Sequence, residues 1–239
     1  MLVALIAGGA AFNQAISGFG FALLGVPMLS LLTTAAHAVV IVSLVALPVS
    51  IAMALRHHDH VDRRSTGLLT AASLAGMPLG VVVLTVVSDG VLRVIIGVAV
   101  LMLATMIAAG YTIRRGARTV DLLSGFASGV LSTSTGTNGP PLVLGLRARG
   151  LSPRQFRSTL AVLFAVSGVV SLGVFIAVGR VDGVTLSHAA VAYPFVAIGW
   201  LVGDRVAPRV PERVFQHLVV ALLYASALSA ILSALHRAG

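Results

Sequence analysis

Apolar residues dominate the chain from its first positions to its last, and polar residues fall in short clusters between runs instead of alternating with them. Runs over residues 38–55, 66–87, 91–113, 158–178, 184–203 and 214–235 each have the length of one membrane-crossing helix, about 20 residues. Two further runs differ. Residues 2–33 are broken in the middle by Asn13, Gln14, Ser17, Gly18 and Gly20, and residues 119–146 by the polar stretch 132–141. A straight helix over 2–33 measures about 48 Å against roughly 30 Å of hydrocarbon, and each half alone is too short to cross. The order broken, long, long, long occurs twice. It predicts an internal repeat, with a first transmembrane unit over 1–113 and a second over 114–239 forming one membrane domain. Ser17-Gly18 falls against Thr135-Gly136 at an offset of 118, and Gly76 and Gly80 fall against Gly199 and Gly203 at an offset of 123.

Composition removes the soluble alternatives. Of 239 residues 58% are hydrophobic and 10% charged, with mean hydropathy +1.04, where soluble domains carry about a quarter charged residues. The fold class is therefore an all-α polytopic membrane protein with eight hydrophobic segments and the lipid bilayer as its main partner. Sixteen arginines and no lysine stand against seven acidic residues. The arginines sit at the ends of apolar runs, where they orient a membrane protein, so no nucleic-acid partner is expected. The chain has no cysteine, which excludes disulfides, thiolate metal sites and cysteine nucleophiles. The run from Arg56 to Asp62 carries three histidines and reads as a solvated loop, so neither a metal nor a cofactor is expected. The N-terminus has no charged segment ahead of its apolar run and reads as a retained membrane segment.

Arginine placement chooses between two topologies. If both broken segments cross, the arginines divide eight against eight between the two faces. If both are re-entrant, six crossings remain and the second unit is inverted relative to the first. The patches at 56–64, 114–118, 147–157 and 205–213 then share one face with 13 arginines, leaving Arg93, Arg180 and Arg237 on the other. The positive-inside rule favours the inverted arrangement, with those patches cytoplasmic and both termini outside.

Irregular backbone at membrane depth survives only where it is buried in protein or lines a cavity, so the breaks are the candidate site. Each break precedes a short apolar half-helix whose N-terminus carries free N–H groups and about half a positive charge. The expected substrate-binding residues are Asn13, Gln14, Ser17, Gly18 and Gly20 from the first break. From the second they are Ser132, Thr135, Gly136, Thr137, Asn138, Gly139 and Pro140. No arginine or lysine falls within the tips, so the implied partner is a small anion held by dipoles, amides and hydroxyls. Pro140 and Pro141 withhold two N–H donors from the second half-helix. Asp89, Asp121, Asp182, Asp204 and Glu212 all fall near run ends, which argues against a carboxylate proton relay at mid-depth.

These residues resemble the TauE/SafE family of sulfite exporters, also called sulfonate permeases, along essentially the whole chain. In that family each half opens with a Gly-x-Gly-Gly-Gly segment followed by apolar residues and proline. Gly18, Gly20 and Pro27 match it, and Gly136, Gly139, Pro140 and Pro141 match more loosely, with Phe21, Ala22 and Asn138 standing where the family has glycine. The resemblance implies a secondary transporter for sulfite, sulfonates or carboxylates in the inner membrane of a prokaryote. Two other classes stand beside it: a membrane scaffold subunit without transport, and an intramembrane hydrolase using Ser17 or Ser132, which lacks a histidine in the central part of any span. The sequence leaves the oligomeric state open, a homodimer included.

Overall fold

The structure is a computed structural model of the chain, and it describes residues 1–56, 58–109, 118–147 and 149–206 together with 221, 224 and 228. The described residues are helical, without strands, in the order α1 (Leu2–Ser17), α2 (Phe21–Ser30), α3 (Ala35–Arg56), α4 (Arg63–Val86), α5 (Asp89–Ala108), α6 (Arg118–Thr135), α7 (Gly139–Arg147), α8 (Pro153–Ala177) and α9 (Gly183–Val206). Of these, α3, α4, α8 and α9 are long and apolar enough to cross a membrane, while α1 and α2 are shorter apolar helices. The span expected over 214–235 lies outside the described residues except at 221, 224 and 228, where the Tyr224 hydroxyl meets Thr105 of α5 at 3.0 Å.

Two pairs of helices approach closely because glycines face backbone across the interface. Along α4 and α6, Gly125 lies against Leu69 and Ala72, Gly129 against Ser73, and the Thr133 hydroxyl donates to the Met77 carbonyl at 2.7 Å. Residue numbers rise together, so the two helices run in the same direction. A methyl group on Gly76, Gly80 or Gly129 would collide with backbone carbonyls of the facing helix. Along α1 and α9 the pattern recurs, with Gly199 against the Gly8 backbone and Gly203 against Phe12 and Ala15. Small residues four apart allow such backbone contact where lipid offers no hydrophobic drive to associate.

Helices α3 and α8 run antiparallel through the centre. At one end Asp62 N–H donates to the Thr159 hydroxyl at 3.0 Å, and at the other the His37 imidazole meets Asp182 at 3.3 Å. Asp182 also accepts from Thr185 N–H at the start of α9. That hydrogen bond, more than the His37 contact, lowers its carboxyl from 3.8 to about 2. The first end carries Arg56, Arg63, Arg64, Arg118, Arg149, Arg154, Arg157 and Arg205, whereas Arg93 and Arg180 lie at the second.

Both broken segments turn back inside this bundle, from opposite ends. α1 runs beside α9 toward the arginine-rich end, and α2 returns, its last residues meeting Arg93 near the start of α3. α6 starts at the arginine-rich end beside α4, and α7 returns to it, where Arg149 pairs with Asp121. The bases of both hairpins are fastened by arginine. Arg93, 0% exposed, donates to the carbonyls of Ser30, the last residue of α2, and of Thr33 beyond it, and bridges to Asp89, which in turn accepts from Ala35 N–H. Asp121, also 0% exposed, takes a two-donor fork from Arg149. Sequence reasoning had these charges near run ends; they are buried clasps there.

Valine at Gly129 or Gly199 is expected to cost at least about 1–3 kcal/mol through overpacking of the paired backbones. Thermal unfolding of detergent-solubilised protein measures it. Wild-type stability in both variants would show that these pairs are not in backbone contact.

Candidate functional site

The first break is confined to three residues. Gly18 ends α1 with φ 81° and Gly20 precedes α2 with φ 98°, left-handed conformations that glycine adopts without the cost of a Cβ. Asn13 and Ser17 hold this turn from within α1. The Asn13 amide donates to the Gly20 carbonyl at 3.3 Å, and the Ser17 hydroxyl lies against the carbonyls of Asn13, at 2.8 Å, and of Phe19. An exposed guanidinium reaches the same turn, Arg157 of α8 donating to the Ile16 carbonyl at 2.7 Å. The tips thus have a cation at hand that the local sequence does not contain.

The second break is shorter than its polar stretch suggests. α6 continues through Thr135, and only 136–138 interrupt the helix, with Gly136 at φ 68°. The hydroxyls of Thr133, Ser134 and Thr135 each bond to the carbonyl four residues earlier, Gly129, Val130 and Leu131. Back-bonding lets serine and threonine stay helical in an apolar setting, so the polar run does not unwind. Thr135 also meets the Thr137 hydroxyl at 2.6 Å.

The two breaks share one cavity of about 60 Å³, room for about four or five water-sized groups. Gly20 and the first turn of α2, Phe21 through Leu23, line it together with Gly136 through Gly139. Gln14, Ser132 and three serines that sequence reasoning missed, Ser43, Ser50 and Ser171, complete the polar lining. Ser43 and Ser50 lie seven apart on α3, on one face, and this spacing in an otherwise apolar span was the available signal. Ser132 and Ser171 share a hydrogen bond of 3.0 Å, and the Gln14 amide reaches Ser50 at 3.4 Å. Gln14 is 3% exposed, and its Oε1 has no partner among the described residues. That unspent buried group sits in the wall of the cavity.

Of the residues expected to bind substrate, Gln14, Gly20, Ser132, Gly136, Thr137, Asn138 and Gly139 line the cavity together. Asn13, Ser17, Gly18 and Thr135 do not line it and instead shape the turns. Pro140 belongs to α7, and its side chain lies outside the described residues. Among the described residues no lining residue is charged. Neither Ser17 nor Ser132 has a histidine among its hydrogen-bond partners. Among the described residues no group of three or more His, Cys, Asp or Glu is placed to hold a metal, and His58, Asp59 and His60 are exposed.

Helices long and apolar enough to cross a membrane thus surround a cavity lined by residues of two helix breaks that enter from opposite ends, an arrangement of the kind found in membrane transport proteins. Comparison with known proteins then fixes the family. The family described as "Sulfite exporter TauE/SafE" matches residues 2–230, and the chain belongs to it. A "Probable sulfite/organosulfonate exporter TauE" of Cupriavidus necator is 29% identical over 214 residues, covering 87% of this chain and 83% of that protein. A "Probable inner membrane transporter protein TsaS" of Comamonas testosteroni is 28% identical over 126 residues, covering 49% of this chain and 53% of that protein. No solved structure matches the chain. The family is one of transporters, not enzymes.

The cavity glycines separate into two kinds. A methyl on Gly139 would make only ordinary contacts, 3.7 Å to Phe164 and 3.9 Å to Phe19, whereas Gly136 is left-handed and a methyl on it would meet Val26 at 3.3 Å. Gly136→Ala is expected to cost about 1–2 kcal/mol of stability and Gly139→Ala less than half of that, read by thermal unfolding in detergent. Equal losses would mean that backbone conformation does not set the second break.

Proposed function

We propose that the chain is a secondary transporter moving a small monoanion of the sulfite, sulfonate or carboxylate class across the inner membrane of a prokaryote. The observation that carries this reading is the shared cavity, lined by the first residues of both α2 and α7 and by no charged side chain among the described residues. The first turn of a helix leaves its N–H groups without intrahelical acceptors, so Phe21, Ala22 and Leu23 offer three donors to a guest. α7 offers fewer, because Pro140 and Pro141 have no N–H, and the Asn138 amide and Gly139 N–H take their place. The volume suits a guest the size of sulfite. The names of the two relatives, an exporter for sulfite or organosulfonates and an inner membrane transporter, support the substrate class and the location.

The same reading takes the chain as two homologous units, each a re-entrant hairpin plus three spans, inverted relative to one another. Support comes from reciprocal packing: the hairpin helix α1 lies on α9 and the hairpin helix α6 lies on α4, each through glycines at matching positions. Arginine placement makes the arginine-rich end cytoplasmic. Alternating access then amounts to rocking one unit against the other about the fixed cavity.

Topology is open to direct test because the chain has no cysteine of its own. Single cysteines at Leu2, Leu32 and Gly183 are expected to react with an impermeant maleimide from outside the cell, and one at Asp59 only after permeabilisation. Labelling of Leu2 and Leu32 from opposite faces would mean that the first broken segment crosses, and the inverted arrangement would fall.

Charge selectivity tests the site. Two helix N-termini at about half a unit each compensate one negative charge, and a dianion leaves one unit over. At an effective dielectric near 20, an uncompensated unit charge 4 Å from another costs about 4 kcal/mol, close to a thousandfold in binding. Methanesulfonate is expected to compete for flux in proteoliposomes far better than sulfate, and a monocarboxylate better than the matching dicarboxylate. Sulfate competing as well as methanesulfonate would require a cationic side chain in the cavity.

A further inference from the structure

The turn of the first hairpin has a charged neighbour that the site itself does not use. Arg157 is exposed, and it lies on the same face of α8 as Phe164, Gly168 and Ser171, which line the cavity. Two helical turns, about 10 Å, separate it from Phe164. Its guanidinium spends one donor on the Ile16 carbonyl, at 2.7 Å, and its Nε lies beside Gly18. At the same end Arg56 is bound to Asp204 and Arg149 to Asp121, while Arg157 has no carboxylate partner among the described residues.

What stands near it toward the cavity is aromatic. Phe19, held between Gly18 and Gly20, and Phe164 both abut Gly139, the first residue of α7. An anion coming from the arginine-rich end therefore meets a guanidinium with free N–H edges first, then two phenyl rings, then the donors of α2 and α7.

We infer that Arg157 is a loading site for a small oxyanion at the arginine-rich mouth of the cavity, a step that rests on the transport reading above. A guanidinium presents up to five planar donors matched to oxyanion geometry, and the one it gives Ile16 leaves an edge for the guest. The bond to Ile16 also ties the loading site to the turn that carries Phe19. A fixed charge at a mouth raises local anion concentration, an effect that falls with ionic strength.

The test is sulfite and methanesulfonate flux in proteoliposomes sorted by orientation, comparing wild type with Arg157→Gln, Arg157→Lys and Arg154→Gln. In Arg157→Gln the KM for anion presented at the arginine-rich face is expected to rise about tenfold, with a much smaller change in maximal rate and in the KM at the opposite face. The rise shrinks in high salt, and Arg157→Lys recovers part of it. Arg154, exposed on the same helix, reports on surface charge in general. An equal rise in Arg154→Gln would assign the effect to the whole face and overturn the inference. A role confined to capping α1 would lower yield and maximal rate without sidedness or salt dependence, and would overturn it too. Wild-type protein that moves neither anion from either face would instead remove the transport reading, a result distinguishable from an unaltered KM in a working Arg157→Gln carrier.

Discussion

Backbone amides and carbonyls have no water to turn to at membrane depth, and this constraint organises the rest of the molecule. Two helix breaks can exist there only if protein surrounds them. Each hairpin is therefore laid against a long helix in backbone contact, α1 on α9 and α6 on α4, through glycines that admit no Cβ. The freed groups of the breaks are then answered locally, the Gly20 carbonyl by Asn13 and the Ile16 carbonyl by Arg157. The Gln14 Oε1, without a partner among the described residues, stands at the cavity wall. The site is thus the residue of an accounting problem that the surrounding packing has otherwise closed.

The hairpin bases need a different solution, because α2 and α7 are too short to be held by packing alone. Arg93 closes the end of α2 by bonding two carbonyls and Asp89 at once, and Arg149 with Asp121 joins the foot of α6 to the turn after α7. Buried pairs of this kind contribute little over a well-packed apolar replacement, but losing one partner strands a charge. Their value here is geometric. They fix where each half-helix ends and so, nine or ten residues away, where its N-terminus points.

Much of this was legible in the sequence. The all-helical class, the place of both breaks and the family resemblance follow from hydropathy and glycine position, since each is a local property. The matching of Gly76 and Gly80 with Gly199 and Gly203 marked both close helix pairs. The rest depends on neighbours distant in sequence. Ser132 to Thr135 read as a broken stretch because hydroxyls look polar, yet most of them return to their own helix. Asn13 and Ser17, expected to bind substrate, make hydrogen bonds within the first turn, while Ser43, Ser50 and Ser171 passed as ordinary residues of apolar spans until α3 and α8 brought them to the cavity. Arg157 is 141 residues from the carbonyl that it caps.

An uncharged cavity has an electrical consequence. In the proposed rocking motion no charged side chain of the described lining moves through the transmembrane field, so the field acts chiefly on the guest. One negative charge carried across is worth about 2.3 kcal/mol for each 100 mV, and a potential negative inside pushes that charge outward. For a carrier of monoanions built this way, the resting potential of the cell is itself a source of directed work, and export is the downhill direction without any second ion bound to the protein.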